Sequence, residues 1–346
     1  MEKIQVNEKK IFFFVFKHRH RRASFNNFLQ IKKVNNFKIY DLSGPIKYFL
    51  FGKIIIFLVQ NFNNIFKNYV LISCDAEPIL LKNAINIWFG GTSYKVSQTN
   101  KLLKNNCHVF ENFIKKEENL LKLYPQIYSP SYPLKKPKVV FVGDFTIHNY
   151  RVVRRIWREE KKNIFNNFEI IEKKYFWQKY NLDKDIDIQT YYIALKDLMR
   201  FNLILELSKI LKDNFIVVGS KWKPHIKSSL KSNYSTKYIQ SLYKGNICID
   251  FGSKWGNNSL YPRSVNIIES EGILLQSKQS DTKIIYHKNF RDMTYNSLTE
   301  LVKKITILLN DNKKTNELYV NQYKNFKNKN LNYKTLKKIY LISKKN

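Results

Sequence analysis

Cysteine, glycine, proline and alanine are all scarce: three, ten, eight and four residues in a chain of 346. Cys74, Cys107 and Cys248 are odd in number and far apart. That excludes a disulfide framework and a CxxC metal pair, and a reducing, cytoplasmic compartment is expected. Long apolar runs are also missing. The longest, Tyr48–Val59, is broken by Lys53 and falls short of the ~20 residues a spanning helix needs. The run Ile11–Phe16 is too short for a signal h-region and no small-residue cleavage site follows it. Acidic residues are the last shortage: 27 Asp+Glu against 61 Lys+Arg, a net charge of +34. Alone, this suggests nucleic acid, an anionic membrane or a phosphate-bearing ligand. The depleted residues, however, have G/C-rich codons, while Lys, Asn, Ile, Phe and Tyr abound. Compositional drift therefore accounts for most of the excess. The informative residues are the rare ones.

The length suggests two domains. Residues 1–125 alternate short β-like runs with helical patterns. Strands are expected at Ile11–Phe16, Lys38–Leu42, Tyr69–Ser73, Ala84–Phe89 and Asn106–Phe110, with helices over Pro45–Phe66 and Glu111–Leu123. Four of the eight prolines fall within Tyr124–Pro137, so residues 126–137 read as a hinge. The same grammar then repeats. Strands are expected at Lys138–Gly143, Phe215–Gly219, Ile247–Phe251, Gly272–Gln276 and Lys283–Tyr286. Helices are expected from Tyr150 and over Thr190–Lys212, Arg263–Glu271 and Ser297–Leu309, and residues 326–346 form a helical tail. This pattern predicts an α/β protein of two Rossmann-like domains, 1–125 and 138–325, each with a parallel sheet.

Several glycines end strands: Gly90-Gly91, Gly143 and Gly219. In open α/β sheets ligands bind at the carboxyl ends of strands, where free N–H groups face outward. Gly143-Asp144 and Gly219-Ser220-Lys221-Trp222 therefore outline a phosphate-facing crevice, although glycine also serves plain chain reversal. Neither GxGxxG nor GxxxxGK[ST] is present. The run Asp183–Asp187 follows no strand and reads as a polar loop, so no metal is assigned.

The most specific segment is Tyr261–Gln276, YPRSVNIIESEGILLQ. It resembles the C-terminal domain of GT-B glycosyltransferases, particularly the CgeB-like group, whose stretch runs approximately S-R-x-F-E-x-x-A-x-G-G-x-L-L. With Gly272 on the second glycine, Arg263 falls on the family arginine and Glu271 replaces the first glycine. The family glutamate that bonds the ribose hydroxyls falls on Asn266; a one-turn shift brings in Glu269. Tyr243–Asp250, Phe215–Trp222, Val139–Gly143 and Phe290–Leu309 resemble further family segments, so the likeness covers residues 138–325 in order.

The resemblance implies two Rossmann-like domains facing across a cleft. A nucleotide-sugar lies between them as substrate, with no separate cofactor and no metal. Arg263, Lys221 and Arg151 would neutralise its diphosphate, with Gly143, His148, Gly219, Ser220, Trp222, Tyr243, Tyr261, Asn266 and Glu269 lining the donor side. The general base would come from the first domain, with Asp75, Glu77 and His108 as candidates. Asp75 and Glu77 follow a strand, which suits a crevice carboxylate and equally a helix cap. Gly90, Gly91 and Ser93 would lie beside acceptor or donor. Arg19, within the basic run His18–Arg22, would face an acidic or lipid-linked acceptor or an anionic membrane. The expected partners are a nucleotide-sugar and a glycan, lipid-linked or protein acceptor. The protein is then cytoplasmic, either free or peripheral on the inner membrane face. Two alternatives stay open: a catalytically degenerate GT-B-like binding protein, and a basic nucleic-acid-binding protein. The latter lacks any recognisable nucleic-acid-binding motif.

Overall fold

The computed structural model describes residues 10–16, 37–41, 69–74, 85–89, 107–110, 120–121, 136–231, 236–252, 262–279, 282 and 290–327. The chain divides into two compact units, Met1–Gln126 with Asn330–Asn346, and Ile127–Lys329.

In the first unit six strands form one parallel sheet: β1 (Lys10–Phe16), β2 (Phe37–Asp41), β3 (Tyr69–Cys74), β4 (Ile85–Phe89), β5 (Cys107–Phe110) and β6 (Leu120–Leu121). Their spatial order is β2-β1-β3-β4-β5-β6, with Phe12 beside Ile39 on one side and Val70 on the other. Aromatic and β-branched runs such as IFFFVF and YVLIS suit parallel strands, which carry apolar residues on both faces. One expectation is corrected here. The helical pattern Glu111–Leu123 does not run through, because Leu120 and Leu121 pair with Val109 and Phe110. A two-residue strand is too short to show a period of two, so its leucines read as the end of a helical face. The helix expected over Pro45–Phe66 lies outside the described residues.

The second unit has five parallel strands: β7 (Val139–Val142), β8 (Phe215–Val218), β9 (Ile247–Asp250), β10 (Ile273–Ser277) and β11 (Thr294–Tyr295). They lie in the order β11-β10-β9-β7-β8. The helices are α1 (Arg151–Asn166), α2 (Lys174–Gln178), α3 (Ile188–Leu211), α4 (Thr236–Tyr243), α5 (Pro262–Glu269), α6 (Phe290–Met293), α7 (Leu298–Asn310) and α8 (Asn312–Lys327). Strands β7, β9 and β10 are buried at every residue, and α1 turns Val153, Ile156, Trp157 and Ile164 into the core. Local chemistry sets the helix starts. Asp187 caps α3 by accepting the Gln189 N–H at 3.1 Å, so the acidic run Asp183–Asp187 is a loop ending in a cap. Ser297 caps α7 by accepting the Glu300 N–H at 3.0 Å. The expected α/β class with two parallel, Rossmann-like sheets is what the structure shows. The strand expected at Lys283–Tyr286 lies outside the described residues.

Candidate functional site

From β7 the chain moves to β8 on one side of the second sheet and then returns to β9 on the other. Strands β7 and β9 therefore flank the point where strand order reverses, and crevices at such points take ligands. The β7–β9 ladder joins Val139 to Ile247 and Val140 to Cys248, then stops two residues short of the end of β7. Arg263 fills the gap. Pro262 starts α5, a position where proline's missing N–H costs nothing, and so sets Arg263 in the first turn. Its guanidinium lies 5.9 Å from the centre of the Phe141 ring, with Nη1 3.1 Å from Asp250 Oδ1. A Cβ on Gly143 would sit 3.2 Å from Arg263 Nη2, and Gly143 has φ +154°. A bare backbone is what admits the guanidinium.

Asp250 closes an otherwise apolar strand and is fully buried. Its carboxylate accepts from Arg263, from the Gly252 N–H at 3.1 Å and from the Ser264 hydroxyl. Gln276 Nε2 donates to Ser264 Oγ at 2.7 Å, and the Tyr295 hydroxyl donates to the Asp250 carbonyl at 3.0 Å. The arginine is thus aimed by a buried carboxylate that is itself held by the Gly252 N–H and the Ser264 hydroxyl, while its side chain stays 19% exposed. Burial pushes the Tyr295 hydroxyl, the Tyr243 hydroxyl and the Cys248 thiol well up, so all three stay neutral.

On the β8 side, Asp144 accepts from Ser220 Oγ and from the Lys221 N–H, both at 3.0 Å. Trp222 donates its indole N–H to the Gly143 carbonyl at 2.6 Å. A Cβ on Gly219 would lie 2.6 Å from Asp144 Oδ1 and 2.7 Å from the Gly143 carbonyl, so only glycine fits. Among the residues expected on the donor side, Trp222 is fully buried, packed against Phe145 and Phe201. It supports the Gly143 loop from beneath. Ser220 and Lys221 are exposed at the rim.

His148 lies on the loop after β7, with Nε2 3.0 Å from Oδ2 of the fully buried Asp197 on α3. Arg200 Nη1 is 3.7 Å from Asp197 Oδ1. Because α3 feeds β8, its first half stands at the carboxyl end of the sheet, beside the His148 loop. Deeper on the same helix, Lys196 pairs with Glu172 at 2.9 Å, and the Tyr192 hydroxyl donates to Glu172. Burial lowers the Lys196 ammonium, partly opposed by Glu172.

Arg151 opens α1 and is exposed, and Tyr243 is buried. Asn266 and Glu269 are half-buried on α5. Helix α5 ends in a Schellman motif: the Gly272 N–H reaches the Ile267 carbonyl at 2.9 Å and the Glu271 N–H reaches Ile268 at 3.1 Å. Glu271 takes the left-handed position, φ +61°. His108 sits in β5, opposite Ile87. Arg19, Asp75, Glu77, Gly90, Gly91, Ser93 and Tyr261 lie outside the described residues. The sequence reading brought Gly143, Gly219, Ser220, Lys221, Trp222, His148 and Arg263 to one end of one sheet, and that is where they stand. It did not single out Asp250, Ser264, Gln276, Asp197 or Arg200 for the site. The one available signal was an acidic residue closing the apolar strand ICID. Among the described residues, no group of three or more His, Cys, Asp or Glu is placed to hold a metal ion.

No family model matches the sequence, and no curated protein matches it. Among solved structures, the chain is similar to T4 phage BGT in complex with UDP and Mn2+, with a TM-score of 0.46 and 11% identity over 96% of this chain and 97% of that one. It is also similar to TarM, with a TM-score of 0.48 and 11% identity, over 83% of this chain and 57% of that one.

Proposed function

We propose that the chain is a GT-B-type glycosyltransferase that moves a sugar from a nucleotide-sugar to a surface-glycan, lipid-linked or protein acceptor. The observation that carries this reading is the placement of Arg263. A guanidinium held by a buried carboxylate at the mouth of a topological switch point, over a glycine that leaves room for it, suits a diphosphate. Arg263 and the N-terminus of α5 would stabilise the charge that develops on the departing diphosphate. The acceptor hydroxyl attacks the anomeric carbon, and the bond from that carbon to the phosphate oxygen breaks. Its electron pair leaves with the nucleoside diphosphate. The hydroxyl proton passes to a base of the first unit, for which Asp75, Glu77 and His108 are the proposed candidates. No metal ion or further cofactor enters the scheme.

Asn266 supports a second reading, a GT-B-like protein that binds nucleotide-sugar without turning it over. An amide in place of the family glutamate offers the ribose hydroxyls no charged acceptor. One experiment addresses both. Calorimetric titration with UDP-, GDP-, CDP- and dTDP-sugars is paired with an assay for release of free nucleoside diphosphate, with and without EDTA. Binding with release supports the transferase, and binding without release supports the degenerate reading. If no sugar nucleotide binds at millimolar concentration and Arg263→Ala changes nothing, both fail.

A further inference from the structure

Arginine is the rare base in this chain, ten residues against 51 lysines, and four of the ten stand within eight residues: Arg151, Arg154, Arg155 and Arg158. The spacing i, i+3, i+4, i+7 puts them within an arc of about 100° on α1, and Lys162 continues the row one turn further. All five are exposed, while Val153, Ile156, Trp157 and Ile164 on the opposite arc are buried. The row runs roughly 16 Å along the helix at 1.5 Å per residue. Arg154 Nη2 donates to Asn149 Oδ1 at 2.8 Å, and Glu159 stands at the edge of the arc as its exposed acidic neighbour. Compositional drift scatters lysines and does not align arginines on one solvent face.

We infer that this face of α1 is a docking surface for the phosphodiester backbone of a nucleic-acid duplex. Charge complementarity selects the occupant. A duplex carries about one negative charge per 1.7 Å of axis, so a row of this length meets several phosphates at once. The guanidinium fork bonds a phosphate through two parallel N–H groups, which an ammonium cannot do. Lysine, abundant elsewhere in the chain, would serve equally well against a diffuse lipid surface potential. The helix also has no apolar face to insert into a bilayer, because that face is spent on the core. No base readout is implied, only backbone binding that tolerates any sequence. The proposal is separable from the donor reading, because the three arginines tested below, Arg154, Arg155 and Arg158, have no part in that reading.

The test measures binding of the full-length protein to a fluorescent 20-base-pair duplex from 50 to 300 mM salt. It compares the parent with Arg154→Gln/Arg155→Gln/Arg158→Gln. A control variant, Lys209→Gln/Lys227→Gln/Lys313→Gln/Lys324→Gln, removes even more charge from exposed positions elsewhere. The arginine variant is expected to lower the slope of log K against log salt by about 2 to 3 units, at roughly 0.9 per phosphate contact. The control should lower it by less than one. Equal losses in both variants would overturn the proposal, because net charge alone would then explain binding. So would duplex binding too weak to measure at 50 mM salt, or tight binding to anionic vesicles alone that the arginine variant abolishes. Melting temperatures of both variants check that folding is intact. Sugar-nucleotide titration of the arginine variant keeps donor binding separate.

Discussion

Removing the Asp250 carboxylate should unsettle the second unit and its arginine together. The side chain is fully buried and accepts three hydrogen bonds, from the Gly252 N–H, the Ser264 hydroxyl and Arg263 Nη1. Asp250→Ala takes away the carboxylate that Arg263 Nη1 reaches at 3.1 Å and leaves two buried donors lacking their acceptor. Breaking one side of a buried ion pair costs about 3–5 kcal/mol. For a unit of about 200 residues, each kcal/mol shifts the melting temperature by about 2–4 °C, so a drop of roughly 6–20 °C is expected. Asp250→Asn keeps one acceptor and should cost about half as much. Urea unfolding followed by tryptophan fluorescence suits the measurement, because Trp222 lies beside the site and is fully buried. The double variant Asp250→Ala/Arg263→Met should lose about 2 kcal/mol less than the sum of the single losses, since the second removal deletes the stranded charge. A melting temperature for Asp250→Ala within 2 °C of the parent would refute the reasoning. So would single losses that simply add.

Gly219→Ala drives a methyl into Asp144 and the Gly143 carbonyl at 2.6–2.7 Å and should destabilise by about 1–3 kcal/mol in chemical denaturation. Gly143→Ala meets Arg263 Nη2 at 3.2 Å on a backbone of φ +154°, so its larger effect should be weakened sugar-nucleotide binding in calorimetry. Glu271→Gly should stabilise by about 1 kcal/mol, because glycine adopts φ +61° without a Cβ clash. The ion pair lost with it, to a Lys244 that is 62% exposed, is worth little. A lower urea midpoint for this variant would contradict the Schellman assignment. Glu160 gives an acid signature. Its hydrogen bond from Asn163, with Tyr180 and Lys179, holds the carboxyl below the usual 4.5 against the opposing effect of burial. A folded-state pKa below the unfolded one contributes stability above about pH 4.5 that is lost as pH falls through the folded value. Glu160→Gln should therefore flatten the stability curve between pH 5 and 3.

Buried parallel strands announce themselves as short, unbroken apolar runs, which is why KVVFVG, FIVVG and GILLQ were legible and their boundaries nearly right. Helix α3 was legible because 24 residues run without a proline or glycine, with apolar residues on every side. Pieces of two residues, β6 and β11, carry no period and are defined only by the neighbour they pair with. Helix α4 is not legible in the sequence for a related reason, since eight residues hold barely two turns of pattern. The candidate site divides along the same line. Glycines at strand ends and an arginine in a recognisable segment are local signals. The grip of Asp250 on Arg263, 13 positions away, and of Asp197 on His148, 49 positions away, exists only once β9 lies under α5 and α3 crosses toward β8. Glu271 departs from the glycine pattern that the sequence otherwise resembles there. The left-handed backbone at that residue explains why the pattern asks for glycine there.

Gly143 is held on both of its polar groups: its N–H by the Val218 carbonyl at 2.9 Å and its carbonyl by Trp222. Its neighbour Asp144 is stitched to Ser220 and Lys221. The Gly143–Asp144 turn at the end of β7 is therefore fixed before anything arrives. Fixing the backbone of a loose loop would cost about 1–2 kcal/mol for every residue immobilised. Here that entropy is already lost on folding, so modest contacts with a small anionic ligand register as net affinity. Binding at this mouth should then resemble a key entering a set lock, fast in arrival and governed by how slowly the ligand departs.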